Sequence, residues 1–142
     1  MSSLLNPYLH FDKNARAALE FYQSIFGGEL EIATFGAYGS PDAPEADLVM
    51  HGYLGAPNGF VLMGADTPPG MEFQSGRGVT ISLSGDDAEE LRGYWRRLSE
   101  GGAIEVELAK QMWGDEFGQC VDRYGVAWLV NIRAADGSSQ SG

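Results

Sequence analysis

Cysteine is nearly missing from this chain: Cys120 stands alone. No internal disulfide can form, which suits a reducing compartment. Histidine is almost as scarce, with His10 and His51 the only two. Imidazole chemistry therefore has two candidates. Basic residues are few: nine Lys and Arg stand against twenty Asp and Glu, a formal net charge of −11. Nucleic acid needs clustered cations to displace its counterions, so neither nucleic acid nor an anionic membrane surface is expected as a partner. The acidity favours solubility, and its field would favour a cationic small molecule. No apolar run approaches the roughly 20 residues of a membrane span. Met1-Ser2-Ser3-Leu4-Leu5 lacks the basic start and long apolar core of a signal peptide. Elimination leaves the cytoplasm as the expected location. No Gly-x-Ser-x-Gly elbow is present, and no Gly-rich loop opens a helix after a strand in a doubly wound pattern. No cofactor is expected.

What the chain does contain is a repeat. Tyr8-Leu9-His10-Phe11, an amphipathic stretch around Phe21-Tyr22, Gly27-Gly28 and Leu30-Glu31-Ile32 form the first copy. Thr80-Ile81-Ser82-Leu83, a stretch around Tyr94-Trp95, Gly101-Gly102 and Ile104-Glu105-Val106 form the second. The aromatic pairs are offset by 73 residues and the glycine pairs by 74. Such a period constrains the whole fold. Two similar halves side by side would create a cleft between them.

In the first half, residues 7–11 read as a strand. Ala15, Ala18, Leu19, Tyr22, Ile25 and Phe26 then recur at helical spacing, with Asp12 or Asn14 as the cap. Gly27-Gly28 stops the helix, and residues 30–35 read as the next strand. Residues 36–47 read as a long loop of the lid or binding type. Residues 48–54 and 60–65 read as a hairpin turned by Asn58-Gly59. The second half repeats this from Val79. Asp86 or Asp87 caps a helix whose buried face is Ala88, Leu91, Tyr94, Trp95 and Leu98. A strand to residue 108 and a hairpin of residues 116–122 and 126–133 follow. The class is α+β: two β-α-β-β-β repeats forming curved, mostly antiparallel sheets around a cleft. One domain is expected over residues 1–133, with repeats 6–66 and 78–133 and a linker at 67–77. The Gly/Ser/Gln-rich tail at 134–142 reads as disordered.

The local wording carries a resemblance. Asn6-Pro7-Tyr8-Leu9-His10-Phe11, Ala18-Leu19-Glu20-Phe21-Tyr22, Phe26-Gly27-Gly28-Glu29, Met50-His51-Gly52, Trp113-Gly114-Asp115-Glu116-Phe117-Gly118 and Asp122-Arg123-Tyr124-Gly125-Val126-Ala127-Trp128 stand in order. Together they resemble the PhnB-like branch of the vicinal oxygen chelate superfamily. That superfamily includes glyoxalase I, extradiol dioxygenases and the bleomycin and fosfomycin resistance proteins. Branch members are often labelled demethylubiquinone methyltransferases, a label the missing cofactor loop does not support. The superfamily's enzymes hold a divalent metal with His and Glu from equivalent strands. By resemblance those positions fall at Pro7 (or Leu5), Thr80, Leu129, and Leu62 or Met63, and none is a strong ligand. The resemblance therefore implies no metal site.

Two other readings remain open at this stage. A rebuilt site could join His10 and His51 to Asp66, Glu116 or Asp122, making a metal-dependent lyase, isomerase or dioxygenase. An acidic groove could sequester a cationic antibiotic, as bleomycin-resistance relatives do. The preferred reading is a small-molecule binder whose contacts are His51, Trp113, Tyr8, Thr80 and His10, with no metal, in a homodimer. His51 could serve as hydrogen-bonding or acid–base group, or as a structural histidine. Trp113 could wall a pocket or anchor an interface. Cys120, on a strand without basic neighbours, reads as an inert buried thiol. Asp115-Glu116 and Asp86-Asp87 read as surface or capping groups.

Overall fold

The computed structural model describes residues 3, 5–39, 41–68, 70–73 and 78–134. Residues 69 and 74–77 of the expected linker and residues 135–142 of the tail lie outside these residues. The chain divides into two compact units, residues 1–76 and 77–142. The first contains β1 (Tyr8–Phe11), α1 (Ala15–Phe26), β2 (Glu29–Thr34), α2 (Phe35–Tyr38), β3 (Val49–Gly55) and β4 (Val61–Asp66). The second contains β5 (Ile81–Gly85), α3 (Ala88–Ser99), β6 (Ala103–Lys110), β7 (Glu116–Val121) and β8 (Ala127–Ile132). The two sheets have matching orders, β1-β4-β3-β2 and β5-β8-β7-β6. In each, the first strand runs parallel to the last and the other pairs are antiparallel.

One face of each sheet is closed by its long helix. In α1 the residues Ala15, Ala18, Leu19, Tyr22, Ile25 and Phe26 are buried, as their spacing predicts. They meet Phe11, Val49, Leu54 and Leu62 in a shared core. Each large apolar side chain removed from water there contributes roughly 1.5–3 kcal/mol. The helix sits close because Gly52 has no side chain; a Cβ there would lie 2.4 Å from Leu19 Cδ1. In the second unit Leu91, Trp95 and Leu98 of α3 cover Leu83, Cys120, Trp128 and Val130. Ala88 and Tyr94, expected on that face, are only half-buried.

The repeated glycine pairs have a shared cause. Gly27 and Gly101 take φ of 78° and 80°, a conformation that ends the helix at little cost to glycine. A Cβ on Gly28 would lie 2.1 Å from the carbonyl oxygen of Gly55, and one on Gly102 would lie 2.1 Å from that of Val121. The strand after each helix therefore passes directly over backbone of the neighbouring hairpin.

Several local expectations are revised. Neither Asp12 nor Asn14 supplies the side-chain cap of α1; Asn14 occupies the cap position without a side-chain bond. Asp66 does the work from the end of β4. Its Oδ1 accepts from the Ala15 amide at 2.9 Å and its Oδ2 from the Val49 amide at 2.8 Å. Asp87 does cap α3, accepting from the Glu90 amide at 3.1 Å. The expected 36–47 loop opens with the helical turn α2, where Thr34 accepts from the Ala37 amide. Gly36 donates to the Ala46 carbonyl and Phe35 to that of Leu48, closing the loop on itself. The second unit's first strand begins at Ile81, since Gly78 is still turning at φ 78° and Val79 is 73 % exposed.

Candidate functional site

Strand register decides which side chains share the open face of the first sheet. Leu9 pairs with Gly64, which backs onto Phe11 and Leu19 beneath the helix. Strand side chains alternate, so Tyr8 and His10 point to the other face. There Tyr8 pairs with Met63, Met63 with Tyr53, and Tyr53 with Glu31, forming one row across four strands. His10 pairs with Ala65, and His51 with Ala33, in the next row on the same face.

The result is a ring cluster on a sheet face. The Tyr8 ring lies 5.5 Å from that of His10 and 5.7 Å from that of His51, centroid to centroid. Tyr8 Oη stands 3.3 Å from His51 Nδ1. The phenol donates when Nδ1 carries no proton, and the imidazole donates to the phenol oxygen when it does. The pair is exposed, so either group can exchange this contact for one to a ligand. Beside it lies an open hollow of about 440 Å³, lined by Glu31, Ile32, Ala33, Tyr38, His51 and Tyr53. A second hollow of about 470 Å³ lies at Asp12, Lys13, Glu45, Thr67 and Met71. It contains no imidazole and none of the five contacts expected from sequence.

Three of the five expected contacts, Tyr8, His10 and His51, are thus brought together. Thr80 and Trp113 belong to the second unit, where both are exposed. Thr80 precedes β5 rather than standing in it. Trp113 is 52 % exposed and meets Phe117 edge-to-face at 6.5 Å. Tyr53, Tyr38 and Glu31 were not singled out. The period-two alternation from His51 to Tyr53 could have revealed the first of them; the other two need the β2–β3 register and α2.

The carboxylates considered for a rebuilt metal site are otherwise engaged. Asp66 is 3 % exposed and holds two backbone amides. Asp122 accepts from the Tyr124 and Val126 amides and from Trp128 Nε1 at 2.8 Å. Glu116 is paired with Arg92, and that hydrogen bond holds its carboxyl below the usual carboxylate range. Asp115, read as a surface or capping group, is fully buried, accepting from Asn131 Nδ2 at 3.1 Å and the Ala134 amide at 3.0 Å. Among the described residues no three His, Cys, Asp or Glu side chains converge on a point. Pro7, Thr80, Leu129, Leu62 and Met63 offer no imidazole or carboxylate either. The residues present do not fit the superfamily's metal. Cys120 is 1 % exposed, and burial, then Asp122 and Glu105, push its thiol up to about 11. It is no nucleophile at neutral pH.

Comparison with known proteins agrees with this frame. The family model for 3-demethylubiquinone-9 3-methyltransferase matches residues 3–131. YjdN of Escherichia coli is 26 % identical over 140 residues, covering 90 % of this chain and 94 % of that protein. The crystal structure of PA1353 from Pseudomonas aeruginosa superposes with a TM-score of 0.81 at 36 % identity, covering 94 % of this chain and 99 % of that one. The PhnB protein of Bacillus cereus gives 0.75 at 23 %, covering 92 % and 99 %. A glyoxalase/bleomycin resistance/dioxygenase domain from Frankia sp. gives 0.63 at 14 %, covering 94 % and 98 %, a likeness of fold alone. The chain belongs to the PhnB-like family described as 3-demethylubiquinone-9 3-methyltransferase, on the glyoxalase/bleomycin resistance/dioxygenase fold.

Proposed function

We propose that this protein binds a small molecule on the open face of its first sheet, through Tyr8, His10 and His51, without the superfamily's metal. The observation that carries this reading is the Tyr8–His51 contact within a three-ring cluster on the sheet face opposite α1. Aromatic rings supply contact area at low entropic cost, and two imidazoles and a phenol supply reversible donors and acceptors. The same pair can give or take a proton at a bound polar group. Methyl transfer is not part of this reading. Each sheet is mixed and four-stranded, unlike the doubly wound parallel sheet that usually presents a nucleotide-like cofactor to a glycine-rich turn.

We further take residues 1–133 as one domain of two pseudo-repeats, in a cytoplasmic homodimer. The exposed Ile104 and Val106 on edge strand β6 offer apolar surface to a second copy. Sedimentation of the purified protein at micromolar concentration is expected to give twice the 15.3 kDa chain mass.

The test is a fragment panel screened against chelator-treated protein by thermal shift and calorimetry. Binding should persist after chelation and fall in His51→Ala and Tyr8→Phe, with melting temperature nearly unchanged because both side chains are exposed. A stoichiometric divalent ion held through His10 or His51 would overturn the reading.

A further inference from the structure

We infer that the hollow beside this cluster is a site for organic ammonium cations, of the methylated or alkylated amine class. The inference deepens the preceding proposal and rests on the same face being the binding face.

Three features of the hollow point the same way. Its walls are rings: Tyr38, Tyr53 and His51. An aromatic face carries negative potential, and a soft cation placed over it is attracted by about 0.5–1 kcal/mol when exposed and by about 2 when desolvated. Beside these rings its lining is aliphatic, Ile32 and Ala33, with Ala33 opposite His51 in the β2–β3 register. Among the described residues its one formal charge is the carboxylate of Glu31, opposite Tyr53, and neither Lys nor Arg lines it.

The surrounding unit reinforces this charge. Residues 1–76 hold nine Asp and Glu against two bases, Lys13 and Arg16. Both bases flank the start of α1, whereas the hollow is built from β2, α2 and β3. The field at the hollow therefore favours cations and disfavours phosphates and carboxylates.

The backbone that carries Tyr38 is held in place. Tyr38 ends α2, which Thr34 caps and the Phe35–Leu48 and Gly36–Ala46 backbone bonds tie back to the foot of β3. A Cβ on Gly36 would lie 2.9 Å from Ala46 Cβ, so the turn fits against that loop without a gap. Tyr38 itself is 72 % exposed. On this tied turn a ligand has only the side-chain torsions of the Tyr38 ring to order, not its backbone.

Calorimetry on the full chain tests the proposal with choline and benzyltrimethylammonium against 3,3-dimethyl-1-butanol, the neutral isostere of choline. The ammonium ions should bind at least roughly tenfold more tightly than the isostere, and binding should weaken with added salt. Glu31→Gln and Tyr38→Leu should each weaken ammonium binding roughly three- to tenfold without moving the melting temperature. Equal binding of the isostere overturns the proposal, as does the absence of saturable ammonium binding, or full binding in both variants. The two readings fail separately. A ligand lost in His51→Ala but indifferent to Glu31→Gln and Tyr38→Leu removes the cation site and leaves the imidazole face standing. Ammonium binding lost in Tyr38→Leu but indifferent to Tyr8→Phe and His10→Ala keeps the hollow and removes the Tyr8 and His10 contacts of the preceding proposal.

Discussion

The two units share a strand order and solve one local problem differently. Each must hold the start of its long helix against the end of its parallel strand pair. In the first, β1 ends with Phe11 opposite Asp66, and Asp66 reaches the amides of Ala15 and Val49. In the second, β5 ends with Gly85 opposite Ile132, a buried apolar residue, and α3 is capped by its own Asp87. The open faces differ as well. Tyr8 and His10 of β1 have their counterparts in Thr80 and Ser82, 72 residues on, and Ser82 and Ser84 are the exposed side chains of β5. The frame is duplicated, and the rings and imidazoles of the proposed site are confined to one copy. A scaffold of this kind can keep its packing constraints in both halves while one half carries the binding groups.

Substitution can break that asymmetry. The largest effect is expected at Asp66→Ala, which leaves two buried amide donors without their carboxylate; chemical denaturation should show a loss of about 3 kcal/mol or more. Asp87→Ala, at the corresponding place in the second unit, should cost only about 1 kcal/mol, because a surface cap can be replaced by water. Equal losses at the two would show that the capping schemes are equivalent after all.

Gly28→Ala and Gly102→Ala probe what the copies share. Both insert a Cβ 2.1 Å from a backbone carbonyl oxygen, so each should destabilise by more than about 1 kcal/mol. Gly28 should suffer more, since it also holds φ at 97°. Cys120 reports on the second unit's core. With its thiol pushed up to about 11 and 1 % exposed, labelling by a disulfide reagent at pH 8 should proceed only as the protein opens. Rapid labelling of the native protein would place that core differently.

Smaller effects follow from exposed groups. Trp113→Ala and Thr80→Val should reduce small-molecule binding less than His51→Ala does. Glu116→Gln should lower the melting temperature slightly at pH 7, because the Glu116 carboxyl is depressed by its bond to Arg92. A depressed carboxylate stabilises above its unfolded pKa and loses that contribution as pH falls through its folded value. The difference between wild type and variant should therefore vanish below the ordinary carboxylate range.

Much of the frame was legible in the sequence because it rests on periodicity. The helix faces, the glycine stops and both hairpins follow from spacing that a sheet and a helix impose directly. Three kinds of feature escaped. The Asp66 cap acts across 51 residues, so no local window contains it. Asp115 sits in an acidic pair that looks like surface, yet its partners Asn131 and Ala134 come from the end of β8 and beyond. Tyr38 and Glu31 became neighbours of His51 only through the β2–β3 register and the turn of α2. For the proposed site, His10, His51 and Tyr8 stand out in the sequence by their chemistry, and the pairing of β4 with both β1 and β3 puts them on one face.

The most direct test of the central claim is to follow the His10 and His51 imidazole resonances by NMR while chelator-treated protein is titrated with hits from the fragment panel. Binding on the first sheet without metal predicts saturable shifts at both imidazoles, unchanged when divalent metal is added back. Imidazole resonances that stay unmoved while a ligand saturates the protein, or binding that appears only with added metal, would contradict the account.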